Sequence, residues 1–242
     1  MKLLIDAGNT RIKWALVENG TWVRSGAFPV AQARELSGQF PASLQITSVW
    51  ASNVAGEPVA SQLRGIVQSH SARSLHMVTA QPLQCSVRNG YANPAQLGSD
   101  RWAALIAAWH MVHGMCLVVN SGTATTIDAL SAQGEFIGGL ILPGIELMQR
   151  SLAEAAVQLG REPGRYADFP GNTADAMFSG AIQATCGAIL RQRAQLGDEA
   201  VPVVLSGGAA PLLREHLALP LQVAEDLVLQ GLWLIAQESG EE

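Results

Sequence analysis

Residues 2–18, KLLIDAGNTRIKWALVE, and residues 116–130, CLVVNSGTATTIDAL, decide how the chain is read. In each, an apolar run ends in a polar residue, Asp6 or Asn120, and then crosses a Gly-containing turn into a second apolar-rich run. Short apolar runs bounded by turn residues read as buried strands. Lys2–Asp6 is the first strand. Arg11–Glu18 alternates, with Ile12, Trp14 and Leu16 on one face and Arg11, Lys13 and Ala15 on the other, the period of a strand. Asn19-Gly20 follows, a pair favoured in type I′ hairpin turns, so Thr21–Phe28 is expected to return as a third strand. The second copy predicts Cys116–Asn120, Thr123–Leu130 and Phe136–Leu142 in the same way. Asp6 and Asn120 lie 114 residues apart in a chain of 242. The repeat predicts two domains of similar topology, 1–113 and 114–242.

Outward from these stretches, helices and strands alternate. Ile46–Ala51 reads as a strand, Pro58–His70 as a helix and Leu75–Thr79 as a strand. Gln81–Ser99 carries Pro82, Asn89-Gly90, Asn93-Pro94 and Gly98 and reads as a loop. In Asp100–Val112, Trp102, Leu105, Ile106 and Trp109 recur at helical spacing, and Ser99 or Asp100 is able to cap the helix. The second half adds a helix over Ile145–Gln158, a loop at Gly160–Gly171, a long helix from Thr173 to Gln195, a strand at Val201–Leu205 and a last helix at Asp226–Gln237. Hairpins followed by crossovers give an α/β fold of mixed sheets with flanking helices.

Composition narrows the function. Hydrophobic residues make up 48% and charged residues 14%, which excludes a disordered chain. With 15 Lys+Arg against 20 Asp+Glu, the net charge is −5, without the positive field that nucleic-acid binding needs. No apolar run reaches the ~18 residues of a membrane span, and MKLLIDAGNT has no signal-peptide core. Cys85, Cys116 and Cys186 fit neither a disulfide framework nor a zinc site and suit a reducing cytoplasm. The five histidines, at 70, 76, 110, 113 and 216, show no metal-ligand spacing.

Three segments carry the chemistry. In Asp6-Ala7-Gly8-Asn9-Thr10, Gly8 permits positive φ and close backbone approach, and successive N–H groups with the Thr10 hydroxyl make an anion site. Lys13 adds a point charge, and Asp6 is placed to hold magnesium through water. The turn reads equally as an ordinary hairpin. Asn120–Asp128 sets a string of hydroxyls beside Gly122, as a phosphate cradle or a Thr-rich edge strand. Ser206-Gly207-Gly208-Ala209 offers a Gly pair against which a flat group such as adenine could lie, or a plain turn. Asp100, beside Arg101 after a Gly-containing loop, suits a general base or a helix cap.

Taken in order, these segments resemble the phosphate-1, phosphate-2 and adenosine motifs of the actin-like ATPase and sugar-kinase superfamily. Within it, Tyr91–Arg101 resembles the Y-x-N-P-x-x-L-G-x-D-R signature of type III pantothenate kinases. Asp6–Lys13 is similar to that family's D-x-G-N-T-x-x-K, Ser121–Asp128 to its G-T-A-T-T-x-D, Gly138–Gly144 to G-G-x-I-x-P-G, and Gly171-Asn172-Thr173 to G-N-T. The resemblance implies two actin-like (ribonuclease H-like) domains with the nucleotide in the cleft between them. It implies ATP-dependent phosphorylation of pantothenate with Mg2+, by a cytoplasmic homodimer. By the same resemblance Asp100 is the catalytic base, and Tyr91, Gly98, Ser99, Asp100, Arg101 and Thr173 contact the substrate. Asp6, Ala7, Gly8, Asn9, Thr10, Arg11, Ile12, Lys13 and Thr123 contact the nucleotide. Many members carry Asp at the position of Asn120, where a carboxylate helps bind K+ or NH4+. An amide there predicts weaker cation binding. Another small-molecule kinase of the superfamily and a non-catalytic regulatory relative stay open as alternatives at this point.

Overall fold

The computed structural model describes residues 1–41, 43–69, 74–155 and 162–240. The chain forms two compact units, the first comprising Met1–His113, Gly134–Phe136 and Asp226–Glu242, the second Gly114–Gln133 and Ile137–Glu225.

The first unit opens with β1 (Lys2–Ala7), β2 (Arg11–Glu18) and β3 (Thr21–Pro29). Asn19 and Gly20 both take positive φ, 49° and 78°, the type I′ geometry that the pair favours. Then come β4 (Ser48–Asn53), α1 (Glu57–Ser69) and β5 (Ser74–Met77). The sheet order is β3-β2-β1-β4-β5. β1, β2 and β3 are joined antiparallel, while β4 runs parallel to β1 and β5 parallel to β4. Leu3, Ile5 and Ala7 of β1 meet Ile12, Trp14 and Leu16 of β2 in a core with Val59, Leu63 and Ile66 of α1. Leu4, Ala15 and Val17, on the other face, are buried too. Alternation alone placed Ala15 outward; helices on both faces of the sheet put it inside.

The stretch expected as a loop, Gln81–Ser99, contains two short strands, β6 (Leu83–Gln84) and β7 (Val87–Asn89), and a 3-10 turn at Pro94–Gln96. Strands of two and three residues show no periodicity to read. α2 (Ser99–Val112) follows.

The second unit repeats the plan. β8 (Cys116–Ser121), β9 (Ala124–Leu130) and β10 (Glu135–Pro143) precede α3 (Ile145–Ala155) and α4 (Thr173–Ala194). The rest of the helix expected at Ile145–Gln158, the start of the loop after it, and His70 lie outside the described residues. β11 (Val203–Ser206), α5 (Ala210–Arg214) and β12 (Leu221–Val223) complete the unit; β12 was not anticipated. Its strands lie in the order β12-β11-β8-β9-β10, with β9 antiparallel and β11 parallel to β8. This is the order of the first unit under another numbering. Only the first two residues of β10, Glu135 and Phe136, belong to the first unit, where they pair with β7.

The chain then returns to the first unit as α6 (Leu227–Glu238). α6 packs on α2, β1 and β4. A single cut at 113/114 assigns this helix to the second half, whereas its contacts belong to the first. A Cβ on Gly231 would lie 1.9 Å from the Ala103 carbonyl oxygen of α2, so the two helices touch backbone to backbone. Among the described residues, no helix is long and apolar enough to cross a membrane.

Candidate functional site

In the first unit, Asp6 stands near the end of β1, opposite Lys13 on β2 and Ser52 on β4. Ser52 Oγ and Ser99 Oγ share a buried hydrogen bond of 2.8 Å. That bond ties the start of α2 to the strand beside Asp6, and Asp100 is the next residue. Burial, then the neighbouring Asp100 carboxylate and, more weakly, Asp226, push the Asp6 carboxyl up to about 7, against the opposing pull of Lys13. Asp6 thus feels two other carboxylates against one ammonium, a field that a cation relieves. Lys13 Nζ is 3.0 Å from Asp226 Oδ1.

The turn after Asp6 is held by the Gly8 amide on the Arg11 carbonyl, 3.0 Å. Gly8 is not among the positive-φ residues. Its value is instead close approach, since a Cβ there would sit 3.3 Å from the Arg11 oxygen. Asn9, Thr10 and Arg11 are exposed. Ala7 and Ile12 are fully buried, so of the nucleotide-contact residues expected in this segment these two have only backbone to offer.

Neither Ser99 nor Asp100 caps α2. The N-cap is Gly98, which has no side chain to cap with, and the Ser99 hydroxyl is engaged with Ser52. Asp100 lies inside the first turn, and its Oδ1 accepts from the Arg101 amide at 2.8 Å, one of the free N–H groups of a helix start. Arg101 is 7% exposed. Its Nη1 donates to the Tyr91 hydroxyl at 3.3 Å, and its guanidinium lies 6.0 Å and 5.7 Å from the Tyr91 and Phe136 rings. Asn89 fixes this corner, its Oδ1 accepting from the Tyr91 amide and its Nδ2 donating to the Pro94 carbonyl. A buried, aromatic-walled guanidinium is suited to grip an acidic substrate, and the carboxylate of the preceding residue, Asp100, to accept a proton.

The second unit gathers the other motifs. The Gly122-Thr123 turn is held by Gly122 N to Ala124 O, Gly144 N to Thr123 O and Ala209 N to Ser121 O, each near 3 Å. The segments of Ser121–Asp128, Gly138–Gly144 and Ser206–Ala209 therefore meet at one turn. Ser121 and Thr125 are fully buried and bonded to each other at 2.8 Å. Part of the hydroxyl string is thus structural, while Thr123 is exposed. Asn120 is half-buried and pairs with Thr126 and Ser206, the counterpart of Asp6 between Lys13 and Ser52. Thr173 is exposed at the first turn of α4, whose N-cap Asn172 accepts from the Asp175 amide at 2.9 Å.

So Asp6, Lys13, Tyr91, Gly98, Ser99, Asp100 and Arg101 belong to the first unit, and Asn120, Thr123 and Thr173 to the second. Sequence reading missed Ser52, Asn89, Phe136 and Asp226. Only a strand-end position flagged Ser52, and nothing local flagged Asp226, 213 residues from its partner.

Residues 2–195 match the family model described as type III pantothenate kinase. A type III pantothenate kinase of Nitrosospira multiformis is 45% identical over 242 residues, covering 99% of this chain and 92% of the relative. One from Aromatoleum aromaticum is 45% identical, covering 98% of each. Among solved structures, a Campylobacter jejuni protein assigned to the Baf family of transcriptional activators superposes with a TM-score of 0.65 at 21% identity, covering 98% of both chains. MreB5 of Spiroplasma citri bound to ADP gives 0.54 at 10% identity, covering 98% of this chain and 96% of that one. These two likenesses show the fold alone, two units each built on a mixed sheet with flanking helices. The chain belongs to the type III pantothenate kinase family.

Proposed function

We propose that the protein transfers the γ-phosphoryl group of ATP to the primary hydroxyl of pantothenate, giving 4′-phosphopantothenate, the first step toward coenzyme A. The family match over residues 2–195 carries this reading. Tyr91, Arg101 and Asp100 support it from the site, since pantothenate is an anion with a hydroxyl to be deprotonated. Arg101 holds the substrate carboxylate. Asp100 accepts the hydroxyl proton as the substrate oxygen bonds to the γ-phosphorus and the bond to the ADP oxygen breaks; the proton then leaves to solvent. Tyr91 orients Arg101 through its hydroxyl. In the first unit Gly98 and Ser99 serve the acceptor and Asp6–Lys13 serves the phosphates, through backbone amides, hydroxyls and the Lys13 ammonium; in the second unit Thr173 is the acceptor contact and Thr123 the phosphate contact.

Among the described residues, no group of three or more His, Cys, Asp or Glu is placed to hold a metal alone. A magnesium ion brought by ATP suits the site, because it keeps several waters and needs only one or two carboxylates. Asp6 is the residue to hold it, and bound there it neutralises charge on the phosphates. K+ or NH4+ has at Asn120 only an amide oxygen, so that site is weak. A cytoplasmic homodimer belongs to the same reading, and the three free thiols agree with a reducing compartment.

ATP consumption with and without pantothenate tests the reading, with the product identified by mass spectrometry. Pantothenate-dependent ADP release and a singly phosphorylated product are expected. ATP turnover that ignores pantothenate but responds to a sugar would move the protein to another kinase class of this fold.

A further inference from the structure

Asp226 stands at the N-cap of α6 with φ 49°, ψ 38° and makes no capping hydrogen bond. The missing bond is the unusual fact. Asp, like Asn, is among the few side chains that visit the left-handed region, but an N-cap Asp normally accepts from the helix's own amides. Local structure therefore gives no reason for a carboxylate here. Its side chain instead reaches Lys13 Nζ at 3.0 Å, on the strand beside Asp6. A residue held in an uncommon conformation to serve a distant group is where strain and function coincide.

The surroundings say what the contact does. Lys13 is a flexible side chain about one-third exposed, as is Asp226. Asp6, the cross-strand neighbour of Lys13, is a competing carboxylate. Asp226 holds the ammonium from the start of α6, a helix packed against β1 and β4.

We infer that Asp226 is a positioning residue: it holds the Lys13 ammonium in the orientation from which Lys13 meets the transferring phosphoryl group. This rests on the kinase reading above. Its role is exerted through Lys13 and not on the reacting atoms themselves. Its charge also competes with phosphate for Lys13, so removing it should not weaken ground-state binding of ATP. What should fall is the rate, because a loosened ammonium is misplaced when charge develops.

The experiment combines Asp226→Asn, Asp226→Glu and Asp226→Gly with Lys13→Ala and the double variant Lys13→Ala/Asp226→Asn. Each is assayed for kcat, for KM of ATP, for affinity toward a non-hydrolysable ATP analogue by calorimetry, and for thermal midpoint. Asp226→Asn should lower kcat about tenfold or more with KM for ATP and analogue affinity unchanged or tighter. Asp226→Glu should recover part of the rate. Asp226→Gly, which relaxes the backbone, should melt no lower than wild type yet be as slow as the Asn variant. In the Lys13→Ala background Asp226→Asn should cost nothing further. Wild-type kcat in the Asn or Gly variant, or independent effects of the two sites, would overturn the inference. A raised KM at unchanged kcat would overturn it as well. Wild-type protein that binds the analogue without phosphorylating pantothenate would overturn the functional reading instead, and the same cycle on affinity then decides Asp226: strengthened binding lost with Lys13 supports the pairing, and no coupling removes it.

Discussion

Gly207 and Gly208 are adjacent, and the structure gives them opposite tasks. Gly207 has φ +96°, and a Cβ on it would lie 2.3 Å from the Ser121 carbonyl oxygen, with the Ser121 carbonyl carbon and nitrogen next. Gly208 has a permissive φ and nothing within 4 Å of a built Cβ. Alanine at 207 therefore meets two costs. Positive φ costs an L-residue about 1–2 kcal/mol. Forcing a methyl group into packed backbone costs about 1–3 kcal/mol. Together they come to about 2–5 kcal/mol, and at about 2–4 °C per kcal/mol for a chain of this size the midpoint falls by about 4–20 °C. The contact is with backbone, which cannot swing aside as a side chain would. Gly208→Ala has no such penalty and should stay within about 0.5 kcal/mol of wild type. If the open face of Gly208 receives the adenine, the same methyl weakens ATP-analogue binding in calorimetry while leaving the melt alone. Differential scanning calorimetry of both variants decides the matter. A Gly207→Ala midpoint within about 2 °C of wild type would refute the close-approach argument.

Three further outcomes are expected. Asp100→Asn should retain the fold and ATP-analogue binding but lose turnover by ~10²-fold or more, as loss of a general base does; steady-state rates equal to wild type would reduce Asp100 to a helix-start residue. Exchanging sodium for potassium or ammonium at fixed ionic strength should barely change turnover, and Asn120→Asp should make it cation-dependent; wild-type enzyme inert in sodium and active in potassium would show that neighbouring oxygens suffice. Burial raises the thiols of Cys85, Cys116 and Cys186 from 9.0 to about 12, about 12 and about 11, with Glu238 contributing at Cys85. Between pH 9 and 11 the unfolded chain loses thiol protons that the folded chain keeps, so stability falls as pH rises through that window; urea midpoints of the wild type and of a Cys→Ala triple variant should diverge there, and parallel curves would count against it.

How much of this was legible follows from how local each feature is. Asn19-Gly20, the polar ends of β1 and β8, and the alternation through β2 are short-range signals, and they delivered the repeated sheet. The stretch Tyr91–Arg101 carries its signature within eleven residues, so the candidate loop could be named without knowing its shape. Features made by distant contacts stayed hidden. Ser99 looks like a capping residue until Ser52 is seen to take its hydroxyl. Ser121 and Thr125 look like phosphate ligands until each is found satisfying the other. Asp226 looks like the start of a helix in the second half, yet both the helix and the carboxylate serve the first.

The discontinuity of the first unit has a bearing on how the protein is made. α2, which carries Asp100, is complete by residue 112, but the helix that covers it begins at Leu227. At about 5–20 residues per second, synthesis of the intervening residues takes roughly 6–23 s. Throughout that interval the flank of α2 around Ala103 has no Gly231 to close against. The second unit, its elements running from Cys116 to Val223, lies wholly within that interval and can fold as it emerges. The half made first is therefore finished last, and a ribosome stalled between these points displays the uncovered flank of α2 after the second unit is complete.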